Sequence, residues 1–182
     1  DSDKIELTNT DEHNSGALWS KSPQDLREFS TVVELSASGG GTAFESESTT
    51  LAMFVSTNPE FVKGAGKIAG AEEKFKGFAV LLHLFPNAVQ TAPNHKQIRV
   101  LVNNGDNSKS FMKLKEHACQ VDFSMEKIRL KLMVHQHTLF VLADQHATGQ
   151  WADCMTVALG AEFNTFLDTS YFGKLQSFLC WS

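Results

Sequence analysis

A chain of 182 residues with 42% hydrophobic content is long enough for one sizeable core, and its length argues for a single domain over residues 1–182 rather than two. The net charge of -5, with no cluster of Lys and Arg interleaved with aromatics, argues against a nucleic-acid or anionic-membrane surface. The longest strongly apolar run, Phe78 to Phe85, is interrupted by His83 and falls far short of the roughly 20 residues that cross a bilayer.

In chain order the pattern favours strands. Thr31 to Ala37 alternates, with Val33, Leu35 and Ala37 on one face and Glu34 and Ser36 on the other, which is the period of a half-buried strand. It runs into the loop Ser38-Gly39-Gly40-Gly41. Leu51 to Val55 and Gly77 to Phe85 are short apolar runs with little alternation, bounded by Ser, Thr, Asn and Pro. Such runs fit core strands covered on both faces. Gln97 to Val102 reads as a further strand ending at Asn103-Asn104-Gly105, where the Asn-Gly pair supplies the positive φ of a tight turn. Phe111 to Cys119 has mixed helical spacing and is the one helical candidate. Ile128 to Val134 alternates cleanly, breaks at His135-Gln136-His137-Thr138 and resumes as Leu139 to Leu142, the pattern of a β-hairpin. Short strands separated by polar turns predict an all-β, antiparallel β-sandwich.

Catalytic signatures are missing. There is no Gly-x-Ser-x-Gly, no His-Glu-x-x-His, and Gly39-Gly40-Gly41 lacks the Lys-Ser/Thr of a phosphate loop. Glu45 and Glu47 are the one close acidic pair before an apolar strand, without the third acid that tunes glycosidase pairs. The reading is therefore of a protein that is not an enzyme. His135 and His137 have metal-like spacing but fall in the hairpin turn, which makes them exposed turn residues. Trp19, Trp151 and the 14 Phe are mostly core in a sandwich of this size.

Of three cysteines, Cys119 and Cys154 bracket the hairpin; on spacing alone, a bridge and two buried thiols in a reducing compartment stand equal. Cys180 is left over beside Trp181, either a small buried hydrophobe or a free thiol. No Met-initiated leader precedes Asp1, so the expectation is a cytosolic protein cut at its start or a mature, processed segment.

Several motifs recur in one order: Leu7-Thr8, Gly16-Ala17-Leu18-Trp19-Ser20 followed by Pro23, Gly77-Phe78-Ala79-Val80 leading to Phe85-Pro86-Asn87, Val102-Asn103-Asn104-Gly105, Cys119, and Trp151-Ala152-Asp153-Cys154. In that order they resemble the intracellular L-type cargo-receptor lectins, relatives of the legume lectins, from about Ile5 to Ser182. The resemblance implies a jelly-roll sandwich of concanavalin type, a buried Trp on an early strand, a Cys119–Cys154 disulfide and a secretory lumen.

Lectins of this family hold calcium through an Asp-Gly pair at a strand edge and through an Asp and an Asn on a following loop, and the ion orients a mannose-gripping loop. Calcium takes six to eight hard oxygen ligands, so each lost carboxylate removes both charge and donors. Mapped onto this chain, Thr49-Thr50 stands where the family has Asp-Gly, and His83 stands where it has the loop Asp. Phe85 and Asn87 match, and Gly173-Lys174-Leu175 fits the family's Gly-x-Leu turn. An alternative register instead places Tyr171-Phe172-Gly173 in a strand. The family's sugar-contacting His and a further calcium Asp fall on Phe111 and Leu114, in a segment that looks shortened.

Glu47, which would share a strand face with Thr49, and Asp106 after the Asn-Gly turn are the acids that could substitute, against a plainer reading as solvated loop acids. His83, amid Leu81, Leu82 and Leu84, reads more simply as a hydrogen-bonded histidine at a strand end. The resemblance thus implies a lumenal lectin-like domain of a cargo receptor between endoplasmic reticulum, intermediate compartment and Golgi. It would recognise high-mannose glycoproteins with weakened or no calcium dependence, anchored and oligomerised through parts outside this chain. The alternative is a module that docks cargo or a partner subunit without binding sugar.

Overall fold

The computed structural model of the chain describes residues 15–35, 48–58, 75–83, 96–104, 115–121, 128–160, 163, 167 and 169–179. They form ten strands: β1 Ser15–Trp19, β2 Phe29–Leu35, β3 Ser48–Ser56, β4 Lys76–His83, β5 Lys96–Asn104, β6 Lys115–Val121, β7 Ile128–His135, β8 Thr138–Asp144, β9 Ala152–Ala158 and β10 Tyr171–Leu179. Two antiparallel sheets result, one of six strands in the order β1-β10-β3-β4-β5-β6 and one of four in the order β2-β7-β8-β9.

The sheets pack because their facing positions are apolar at every second residue. Met53, Val55, Phe78, Val80, Leu82, Ile98 and Val100 of the larger sheet share a core with Val33, Leu130, Leu132, Val134, Leu139, Val141 and Val157 of the smaller. On the central strand β7 of the four-stranded sheet the partition is strict: it runs buried, intermediate, buried along its length until the exposed His135. In β3 to β5 the other face is also buried, with Ala52, Phe54, Ala79, Leu81 and Leu101 at 0–2% exposure. The near-continuous apolar runs of these strands thus match strands covered on both sides.

The β7–β8 hairpin forms where alternation breaks. Gln136 and His137 have φ of 47° and 60°, the two positive values of a two-residue turn whose twist matches that of the flanking strands. Both histidines of this turn are exposed. At the other side of the sandwich, Cys119 of β6 is bonded to Cys154 of β9. The bridge ties an edge strand of one sheet to an edge strand of the other.

Two local expectations are corrected. Lys115 to Cys119, the latter part of the predicted helical patch, is strand β6, because pairing with β5 (Cys119 to Ile98, His117 to Val100) and the disulfide outweigh its loose helical spacing; residues 111–114 lie outside the described residues. Asn103 and Asn104 do not turn but extend β5, pairing with Gly77 and Lys76, and Gly105 lies outside the described residues.

Candidate functional site

Antiparallel order brings the start of β3 beside the end of β4 and the start of β5. Thr50 pairs with His83, His83 with Gln97, and Gln97 with Gln120, while Thr49 pairs with Phe178 of β10. Thr49-Thr50 and His83, 33 positions apart in the chain, are therefore neighbours at one end of the six-stranded sheet. The disulfide lies at the same end, since Cys119 pairs with Ile98, one step from the Gln97–Gln120 pair.

Glu47 precedes β3 and Phe85 and Asn87 follow β4 at this end, but all three lie outside the described residues, as does Asp106. Asn104, the last described residue before Asp106, is at the far end of β5, seven residues from Gln97 and thus about 24 Å away at strand rise. Among the described residues there is no group of three or more His, Cys, Asp or Glu able to hold a metal. The strand-end positions offer Thr49, Thr50 and His83, a set without a carboxylate, which does not fit a hard cation that takes six to eight oxygens.

Gly173-Lys174-Leu175 is not a turn. The three residues lie within β10, paired on one side with Trp19, Leu18 and Ala17 of β1 and on the other with Phe54, Met53 and Ala52 of β3. The register that puts Tyr171-Phe172-Gly173 in a strand is the one adopted. The physical reason is Trp19: a Cβ built on the buried Gly173 would lie 2.3–2.6 Å from three atoms of the indole. Glycine is thus the residue that lets the ring lie against the strand. Phe54 continues this cluster, its ring centroid 6.1 Å from that of Trp19 and 5.4 Å from that of Phe75, the latter pair edge to face. Gly77 has a similar role with a different cause. Its φ is +152° and a Cβ there would lie 1.8 Å from the Val55 carbonyl oxygen, so a side chain would separate β3 from β4.

Two polar arrangements are not visible in the local sequence pattern. Asp144, 1% exposed at the end of β8, accepts the backbone N–H of Thr148 at 3.0 Å and of Gly149 at 2.7 Å. Arg129 stands 3.9 Å away and is bonded to Glu34 at 2.8 Å. Burial pushes the Asp144 carboxyl up, but the N–H groups of Gly149 and Thr148, with Arg129, outweigh it and hold it below the ordinary 3.8. Asp followed four and five residues later by Thr-Gly is the one sequence signal for such a loop. At the opposite end, Glu28 accepts the Gln136 N–H at 3.1 Å and meets His135 Nδ1 at 2.6 Å. Those contacts, the Gln136 N–H first, lower its carboxyl below the usual glutamate value.

With this geometry in hand, comparison with known proteins is informative. The profile of the legume-like lectin family matches residues 1–173. The vesicular integral-membrane protein VIP36 of dog and of human are each 25% identical over 159 residues. That match takes in 84% of this chain and 44% of theirs, so the chain spans less than half the length of these curated relatives. Among solved structures, the exoplasmic/lumenal domain of VIP36 with calcium and Man2 superposes with a TM-score of 0.74 at 21% identity, over 94% of this chain and 68% of that one. The carbohydrate recognition domain of Emp46p in a potassium-bound form gives 0.59 at 18% identity, over 92% and 72%. Winged bean acidic lectin with methyl-α-D-galactose gives 0.54 at 15% identity, over 96% and 86%. At these identities the structures establish the sandwich fold, and the Cys119–Cys154 bridge expected from the resemblance is present within it.

Proposed function

The chain belongs to the legume-like lectin family, and from that premise we propose that residues 1–182 are one lumenal lectin-like domain of an early secretory pathway cargo receptor, recognising high-mannose glycans on glycoproteins without the family's calcium dependence. The lectin part is supported by relatives such as VIP36, whose lumenal domain is known with Ca2+ and Man3GlcNAc. Loss of calcium dependence is carried by one observation: among the described residues the neighbouring strand ends carry Thr49, Thr50 and His83, with no carboxylate to supply the hard, charged oxygens that calcium requires. Phe85 and Asn87 are the family-equivalent residues proposed to remain on the sugar side. Glu47, which precedes β3 at the same strand end, is the acid that a rebuilt ion site would use; Asp106 follows Asn104 at the far end of β5 and is too distant in the chain to join it.

A second reading gains from the strand character of Gly173-Lys174-Leu175. With no Gly-x-Leu turn at that position, one of the features that favoured sugar binding is lost. That favours a module docking cargo or a partner subunit through protein contacts. Calorimetric titration with an oligomannose glycan, with calcium and again with chelator, separates the two. Binding unchanged by chelator is the expected result; calcium-dependent binding would overturn the ion-free site, and no binding under either condition would select the protein-docking reading.

A further inference from the structure

The register row Thr50, His83, Gln97 and Gln120 has a cationic neighbour. In β5, Ile98 and Val100 are buried in the core between the sheets, so Gln97 and Arg99, at the alternate positions, project from the opposite face of the six-stranded sheet. Arg99 pairs with Leu81 of β4 and Ala118 of β6. His83 and Gln120, two residues further along those strands, are therefore its diagonal neighbours, while Gln97 is its neighbour along β5. Diagonal positions in a sheet lie about 7–8 Å apart, within reach of a long side chain. Arg99 is half-buried and its Nε is shielded from solvent, on a face where Ala52, Leu81 and Leu101 are at most 2% exposed. An arginine so placed lays its stem on apolar surface and carries its charge to a polar edge. A charge held away from water also acts more strongly than one in solvent.

From this we infer that Arg99 is a specificity-determining residue of the proposed glycan site: its guanidinium supplies, from within the sheet, the fixed positive charge that the ion supplies in the calcium-bound lumenal domain of VIP36. It rests on the glycan-binding function proposed above for the same strand ends. Two physical points favour the assignment. Sugar oxygens accept hydrogen bonds, and the guanidinium offers five donors in a planar fork that keeps its charge at any physiological pH; the Gln97 and Gln120 amides beside it add both donors and acceptors. A guanidinium diagonal to His83 would also repel a divalent cation held at that strand end. Arginine at 99 thus acts in the same direction as the Thr and His at 49 and 83, since all three disfavour calcium. The other diagonal of Arg99 holds Ala79 and Glu116. A guanidinium turned that way would brace β5 to β6 and leave the ligand untouched, which is the role the experiment must separate.

Calorimetric titration of the full 182-residue chain with an oligomannose glycan in chelator, run on the wild type, Arg99→Gln and Arg99→Lys, tests it, with urea midpoints of all three as the control for folding. Arg99→Gln is expected to weaken binding about tenfold or more, the scale of a lost hydrogen bond from a charged group. Arg99→Lys, which keeps the charge but not the fork, is expected to fall between the two. Nitrogen-15 spectra of the wild type read the same contact without any substitution: the Arg99 Nε–H and the side-chain amide resonances of Gln97 and Gln120 are expected to shift when the glycan is added. Equal affinity in the wild type and Arg99→Gln, an equal loss in both variants that follows a lowered urea midpoint, or an Arg99 Nε–H resonance unmoved by glycan would each overturn the inference while leaving glycan binding in place. No binding by the wild type in chelator would overturn both this role of Arg99 and the function on which it rests.

Discussion

Replacing Gly173 by Ala tests the register on which the reading of β10 depends. The added Cβ would lie 2.3 Å from Trp19 Cε3 and 2.5 and 2.6 Å from two further ring atoms. Ordinary contact begins near 3.4 Å, so the indole must withdraw by about 1 Å. That movement also disturbs its contact with Phe54, which packs edge to face on Phe75. Overpacking of this kind costs about 1–3 kcal/mol, equivalent to a fall in Tm of roughly 3–9 °C for a chain of this size. Urea denaturation followed by circular dichroism measures it, with calorimetry for Tm. A double-mutant cycle sharpens the test: Gly173→Ala placed on Trp19→Leu should cost much less than on the wild type, with a coupling of at least about 1 kcal/mol. A Gly173→Ala protein within about 0.5 kcal/mol of wild type, or strict additivity with Trp19→Leu, would refute the packing of Trp19 on β10 and revive the turn register.

Three further expectations follow from the same structure. Reduction, or the pair Cys119→Ala and Cys154→Ala, should lower stability by about 4 kcal/mol in the chain-entropy treatment of a loop of this length; urea midpoints with and without reductant give the value, and no shift would mean that the bridge does not constrain the unfolded chain. Asp144, whose folded-state carboxyl lies below 3.8, contributes stability that is fully present above its unfolded value and is lost as pH falls through the lowered folded value. Asp144→Asn should therefore be less stable near neutrality and show a flatter acid limb in a pH series of urea midpoints, and parallel curves for the two proteins would count against this assignment. Thr49→Asp combined with His83→Asp should restore calcium binding, to roughly the 10⁻⁴–10⁻³ M range of modest oxygen sites, as read by calorimetry; no gain in the double variant would mean that the surrounding loops are built for something else.

The residues differ in how much they disclose before folding. Val33, Leu130, Leu132, Leu139 and Val141 disclose their burial locally, because a strand with one wet face alternates every second residue and one with two dry faces does not. The Gln136-His137 turn was placed by the break in that alternation, although nothing in the two residues advertises positive φ. Lys115 to Cys119 misled because five residues of mixed pattern carry almost no periodic information, and the pairing with β5 decided the matter. Gly173-Lys174-Leu175 was ambiguous for a different reason. A Gly-x-Leu segment is compatible with a turn or a strand, and the choice rests on an aromatic ring more than 150 positions away.

By itself, the sequence determined the all-β class, most of the core strands, the hairpin and, through ordered motifs, the lectin family with its paired cysteines. It also determined that positions 49 and 83 carry Thr and His rather than acids, since a side chain's chemistry is independent of its neighbours. Tertiary structure alone decided that Thr50 faces His83 across a pair of strands while Thr49 pairs with Phe178, that Gly173 lies beneath Trp19, and that Asp144 is buried with its own donors. These are properties of pairing between distant segments, fixed by registers and contacts that no local window of residues contains.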